Sequence, residues 1–108
     1  MERETVVFVE RNRTLTACIG CEIDHHTAKR LREAIDRHMF LVKPETLVLD
    51  FSGVRFMDSS GIALILGRAE TAGAIGACVH LVGLSNSIMK LVRLSGIEKV
   101  GNLTVSQG

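Results

Sequence analysis

The sequence contains neither tryptophan nor tyrosine, and its four phenylalanines bring the aromatic content to only 4%. Because 46% of the residues are nevertheless hydrophobic, the chain can build an aliphatic core, and 108 residues correspond to one domain, 1–108. The formal net charge is only +1 and no basic block stands out, so the charge pattern does not point to a nucleic-acid partner.

Long hydrophobic runs are also absent. The longest, Ile62 to Leu66, is far too short to cross a bilayer, so no membrane partner is expected. The start at Met1 to Glu4 lacks the basic and then apolar pattern of a signal peptide. We therefore expect a cytoplasmic protein.

The three cysteines include one pair, Cys18 and Cys21, with the spacing of a redox or zinc motif. The pair lies in a predicted strand, where residues three apart point to opposite faces unless Gly20 forms a bulge. His25 and His26 could add two ligands, but the spacing is shorter than in usual zinc loops. We interpret the cysteines as structural. A small metal-binding or redox domain using Cys18 and Cys21 remains the alternative.

Hydrophobic periodicity predicts five strands and three helices. The predicted strands are residues 5–10, 14–22, 46–51, 77–82 and 100–105, and the helices run from Ala28 to about Leu41, from the Asp58–Gly61 segment to Gly73, and from Ile88 to Leu94. A turn at Arg11–Arg13 makes the second strand return antiparallel to the first. This order predicts an α/β fold with a mixed, mostly parallel sheet, an antiparallel N-terminal edge strand and covering helices.

Asp58, Ser59, Ser60 and Gly61 join a buried strand to a helix. Hydroxyl groups at a helix start lie among free backbone N–H groups at the positive end of the dipole. Such a place suits an anion, or a serine that becomes one by phosphorylation, although Asp58 or Ser59 could simply be an N-cap. Asp24 is expected to cap the first helix at the same edge of the sheet.

The same residues give little support for catalysis. Ser59 or Ser60 would be the nucleophile and His25 or His26 the base, but no Gly-x-Ser-x-Gly elbow is present. A phosphate-binding glycine loop with a lysine is missing as well. We therefore predict no catalytic residues, no cofactor and no metal site.

Three segments carry a resemblance to a known family: Phe56 to Arg68, which contains Asp-Ser-Ser-Gly, Glu22 to Ala28, and Ile88 to Ile97. In this order they resemble the STAS-domain anti-sigma factor antagonists, and most of all the sporulation branch that acts on anti-sigma-F factors. The resemblance implies the STAS fold. Family members usually carry glycine at the position of Cys21, and they continue into a last helix where this chain stops at Ser106 to Gly108.

The resemblance also implies a function by partner switching. The unphosphorylated form would bind the anti-sigma factor, an ATP-dependent serine kinase, and so release the sigma factor. Phosphorylation at Ser59 would switch binding off, and a serine phosphatase would restore it. The implied partner-binding residues are Asp24, Asp58, Ser59, Ser60, Gly61 and Ile62. Sequence physics alone does not separate Ser59 from Ser60 as the acceptor, and a general-stress antagonist with a different partner is the alternative within the family.

Overall fold

A computed structural model describes residues 5–106 and contains one five-stranded sheet in the order β1-β2-β3-β4-β5. The strands are β1 (Val6–Arg11), β2 (Thr14–Ile19), β3 (Thr46–Asp50), β4 (Cys78–Val82) and β5 (Leu103–Val105); the helices are α1 (His25–Val42), α2 (Ser59–Ala74) and α3 (Asn86–Ser95), followed by a short 3-10 helix at Ile97–Lys99. β1 pairs antiparallel with β2, and the remaining neighbours are parallel. The predicted mixed sheet with an antiparallel N-terminal edge is confirmed.

The two faces of the sheet differ in burial. One row across four strands, Leu15, Leu47, Val79 and Leu103, is in register and buried. The neighbouring row, which points to the opposite face and includes Val48, is only partly buried or exposed. Successive parallel strands are also neighbours in the sheet, so right-handed crossovers place all three helices on the same face. The core therefore lies between the helices and this one face.

α1 forms because apolar residues recur at helical spacing, and it buries Leu31, Ile35 and Met39. Asp24 caps its start as predicted. Lys43 ends the helix in the left-handed conformation, with φ of 52°, directly before the only proline of the chain, Pro44. Within residues 5–106 the structure contains no helix that is long and apolar enough to span a membrane.

Several predicted boundaries are wrong by one to three residues, and α1 begins at His25 rather than Ala28. β2 ends at Ile19 rather than Glu22, because the chain leaves the sheet there and forms an isolated bridge from Ile23 to the loop before α2. α2 continues past Gly73 to Ala74, and a glycine with positive φ follows at Gly76. The last strand is limited to residues 103–105, since the 3-10 helix and a turn occupy the residues before it.

Candidate functional site

The loops that precede α1 and α2 are tied together by an isolated parallel bridge between Ile23 and Met57. The N–H of Ile23 donates to the carbonyl of Phe56 at 3.0 Å, and the N–H of Asp58 donates to the carbonyl of Ile23 at 3.1 Å. Both helices begin directly after this bridge, so two helix N-termini lie side by side. The bridge thus brings together Asp24 and Asp58, which are far apart in sequence.

Asp24 is the N-cap of α1 and is held in a capping box. Its Oδ1 accepts from the backbone N–H groups of His26 at 2.9 Å and Thr27 at 3.0 Å, while the Asp24 N–H donates to the Thr27 hydroxyl at 3.0 Å. The bond from the Thr27 N–H is the main reason that the pKa of Asp24 lies below its usual value. Asp24 is therefore a charged cap, and its oxygens remain near the surface.

Asp58, rather than Ser59, is the N-cap of α2, and its Oδ1 accepts from the N–H of Ser60 at 2.8 Å. Ser59 is the first helical residue and is exposed, whereas Ser60 is half-buried. The Ser59 hydroxyl has no hydrogen-bond partner within residues 5–106. The Ser60 hydroxyl makes no hydrogen bond within these residues either, so greater exposure is what distinguishes Ser59 from Ser60.

Gly61 and Ile62, which follow the serines, are less exposed than Ser59. Gly61 is buried, and a Cβ at this position would overlap the side chain of Met57. The absence of a side chain at Gly61 permits α2 to begin close to the bridge. The role of Gly61 in partner binding stays a prediction. Ile62 is partly buried against the core and keeps some exposed surface. Phe56, which sequence reasoning left unassigned, is 51% exposed beside the site.

An ion pair also joins α1 and α2, and the sequence analysis does not predict it. The Arg68 Nε lies 2.7 Å from Asp36 Oδ1, and the side chain of Arg68 is only 5% exposed. The two atoms are close but poorly aligned for a hydrogen bond, so the contact is one of charge. Burial lowers the pKa of Arg68, while Asp36 partly offsets the effect. The spacing of hydrophobic residues in the sequence does not indicate that a charged residue of α2 is buried.

The cysteines do not form a joint site with the neighbouring histidines. Cys18 lies in β2, and Cys21 follows the strand in a bend. Both are free thiols, and no three His, Cys, Asp or Glu side chains within residues 5–106 are arranged to hold a metal ion. Burial raises the pKa of Cys21, which favours the thiol over the reactive thiolate. The rings of His25 and His26 lie against each other, with centroids 3.9 Å apart, at the start of α1.

Known proteins are similar to this chain in sequence and in fold. Residues 5–107 match the STAS domain family. An anti-sigma F factor antagonist of Lysinibacillus sphaericus is 33% identical over 70% of this chain, and the chain spans 65% of that relative's length. The structure of the unphosphorylated anti-sigma factor antagonist SpoIIAA superposes with a TM-score of 0.78 at 26% identity, covering 94% of this chain and 88% of the other.

The phosphorylated form of the Bacillus cell fate determinant SpoIIAA is also similar, with a TM-score of 0.70, 26% identity, and coverage of 94% of this chain and 91% of the other. The family match extends over almost the whole chain, and both SpoIIAA structures superpose on 94% of it. This protein belongs to the STAS-domain family.

Proposed function

We propose that this chain is an anti-sigma factor antagonist that acts by partner switching and is controlled by phosphorylation of Ser59. The unphosphorylated form binds an anti-sigma factor and thereby frees a sigma factor in the cytoplasm. The anti-sigma factor is also a serine kinase that uses ATP, and a serine phosphatase reverses the modification. The chain itself contributes no catalysis to this cycle; it is a binding partner and a substrate.

The observation that carries the proposal is the position of Ser59. It is exposed at the first turn of α2, and its hydroxyl makes no hydrogen bond within the described residues. Asp58 uses its carboxylate to cap the neighbouring N–H, so Ser59 is not needed as a cap. A kinase can therefore reach this hydroxyl without unfolding the helix start. The similarity to SpoIIAA, known in phosphorylated and unphosphorylated forms, supports the same assignment.

The switch follows from charge at this place. A phosphate adds about −1.5 to −2 charges at pH 7, next to Asp58 and near Asp24 across the bridge. The positive end of the α2 dipole tolerates this charge, so the fold survives. A partner surface that packs against the neutral serine must instead desolvate a phosphate, and binding is lost.

The acceptor can be identified by incubating the protein with its anti-sigma factor and ATP and mapping the phosphate by mass spectrometry. Ser59→Ala should abolish the modification, because it removes the open hydroxyl. Ser60→Ala is the matched control at the adjacent position and should still be phosphorylated. Phosphate on Ser60 or on any threonine of the wild-type protein contradicts the assignment.

The role of charge can be separated from the role of shape with Ser59→Asp and Ser59→Asn, which differ by one charge at nearly the same size. We expect Ser59→Asp to weaken binding of the anti-sigma factor about ten- to hundred-fold, corresponding to about 1.5 to 3 kcal/mol. Ser59→Asn should bind more tightly than Ser59→Asp. Equal affinities of the two variants, measured by titration calorimetry, would show that charge at this position is not the switch.

A general-stress antagonist would use the same site and the same chemistry with a different anti-sigma factor. The choice of partner is an outcome of the phosphorylation experiment, carried out with each candidate kinase in turn. The kinase that modifies Ser59 is the cognate partner.

A further inference from the structure

A groove of about 450 Å³ runs between α1 and α2, beside the serine site. Ala28, Ala63 and Gly67 lie along it, and their small side chains leave the space between the helices open. No atom lies within 4 Å of a Cβ placed on Gly67, beyond that residue's own helix and chain neighbours. At one end Ser60 reaches the groove, directly after the exposed Ser59. The groove is therefore continuous with the proposed contact surface.

The ionisable side chains that line the groove are all basic: His25, Lys29, Arg32 and Arg68. Among the described residues, no aspartate or glutamate lines it. Asp36 approaches Arg68 at the Nε atom, and it is the only carboxylate in an ion pair with that guanidinium within residues 5–106. Lys29 and Arg32 are exposed, so they are free to contact a bound anion.

The positive charges in the groove are close enough to repel one another. Arg32 lowers the pKa of Arg68 through direct charge repulsion, in addition to the larger effect of burial. Arg68 is 4% exposed, and its Nε makes no aligned hydrogen bond within the described residues. A negative charge placed in the groove would relieve the repulsion and supply a second partner, besides Asp36, for a nearly buried guanidinium.

The length of the groove indicates what kind of anion it fits. Its lining extends from His25 to Arg32 on one helix and from Ser60 to Arg68 on the other. At 1.5 Å per residue these spans are roughly 10 to 12 Å, which is about the length of three extended residues. The cations are spread along this length rather than gathered at one point. An extended peptide with several carboxylates fits this spacing better than a single small anion does.

We propose that this groove binds an acidic segment of the anti-sigma factor, next to the contact that the partner makes at Ser59. The inference rests on the proposed function and names the chemistry of the partner at the same site. It also explains how one phosphate acts over a wide contact: a phosphate on Ser59 lies beside the mouth of the groove and repels the acidic segment.

The experiment uses the full chain and whichever anti-sigma factor phosphorylates it. The groove variant Lys29→Glu/Arg32→Glu is compared with Arg30→Glu/Arg37→Glu, which makes the same change in net charge at exposed positions of α1 outside the groove lining. We expect the groove variant to raise the Kd at least about ten-fold and the control variant to raise it less than about three-fold, at low salt. Thermal melts show whether each variant is folded.

If the double glutamate variant does not fold, Lys29→Gln/Arg32→Gln removes the charges without reversing them and should still weaken binding more than the control does. If the groove and control variants lose the same affinity for the anti-sigma factor, the effect is a long-range attraction and the proposal is overturned. Wild-type affinity in the groove variant would also overturn it. Absence of any binding by the wild-type protein would instead refute the proposed function.

A small anion is the other possible occupant, and inorganic phosphate tests it. We expect phosphate to shift the groove amides in NMR spectra only weakly and without saturation at millimolar concentration. Saturable binding that Lys29→Gln/Arg32→Gln abolishes, together with unchanged affinity of that variant for the anti-sigma factor, would assign the groove to a small anion and overturn the proposal.

Discussion

Replacing Asp36 with asparagine tests the buried ion pair that joins α1 and α2. The change keeps the size of the side chain and removes its charge, so the guanidinium of Arg68 is left without its carboxylate. Breaking a buried pair from one side costs about 3 to 5 kcal/mol, because an uncompensated charge stays in the core. The Asp36 side chain is 25% exposed, so water can reach part of the pair and the cost falls at or just below the lower end of that range. We expect a loss of about 2 to 3 kcal/mol in the free energy of unfolding.

The loss converts into a change in melting temperature through the entropy of unfolding. With about 2.1 cal/mol/K per residue, the 108 residues of the chain give about 0.23 kcal/mol/K. A loss of 2 to 3 kcal/mol then lowers the melting temperature by about 9 to 13 °C. Thermal melts and urea titrations at neutral pH measure both quantities.

The chain contains a matched control at the surface. The Arg13 Nη1 and Glu45 Oε2 atoms are 2.9 Å apart, but the side chains are 76% and 68% exposed. Glu45→Gln should therefore cost less than about 1 kcal/mol, or less than about 4 °C. If Asp36→Asn is no more destabilising than Glu45→Gln, burial does not set the strength of the interhelical pair and the argument is refuted.

Two further predictions concern the glycines of α2 and the N-cap of α1. Gly61→Ala should destabilise by about 1 to 2 kcal/mol, since overlap with Met57 outweighs the better helix propensity of alanine, whereas Gly67→Ala, with open space around the added methyl, should stabilise by up to about 1 kcal/mol. Urea titrations of both variants check this, and two changes of the same sign would contradict it. The lowered pKa of Asp24 means that its stabilising effect is present above the unfolded value of 3.8 and is lost as the pH falls through the folded value. Asp24→Asn keeps a good N-cap but cannot titrate, so its melting temperature should fall less than that of the wild type between about pH 5 and pH 2. If the melting temperatures of the two proteins fall by the same amount over this pH range, the charge of Asp24 does not contribute to stability.

Local sequence features determined most of the fold. The order of strands and helices follows from the spacing of apolar residues, which depends only on the period of each element. Asp24 was predicted as a cap because a carboxylate directly before an amphipathic helix can accept the free N–H groups. Ser59 was singled out by the match of its segment to a known family, and the structure adds that its hydroxyl is exposed.

The sequence does not predict the structure well where one segment depends on contacts with a segment far away in the chain. β2 ends early because Ile23 pairs with Met57, and no local pattern signals a bridge between two loops. The burial of Gly61 against Met57 of that same bridge has no local signal either. Boundaries and burial at these positions are consequences of long-range contacts.

The groove between α1 and α2 shows most clearly what the sequence determines and what only the tertiary structure decides. Nothing in the sequence distinguishes Lys29, Arg32 and Asp36 from an ordinary solvated helix face, and Arg68 lies within the segment that matches the family. Only the packing of α1 against α2 buries Arg68, pairs it with Asp36 and places Lys29 and Arg32 along one cleft. Sequence periodicity specifies which side of each helix is apolar, but the charges that meet at a junction depend on how two helices are positioned by a shared sheet.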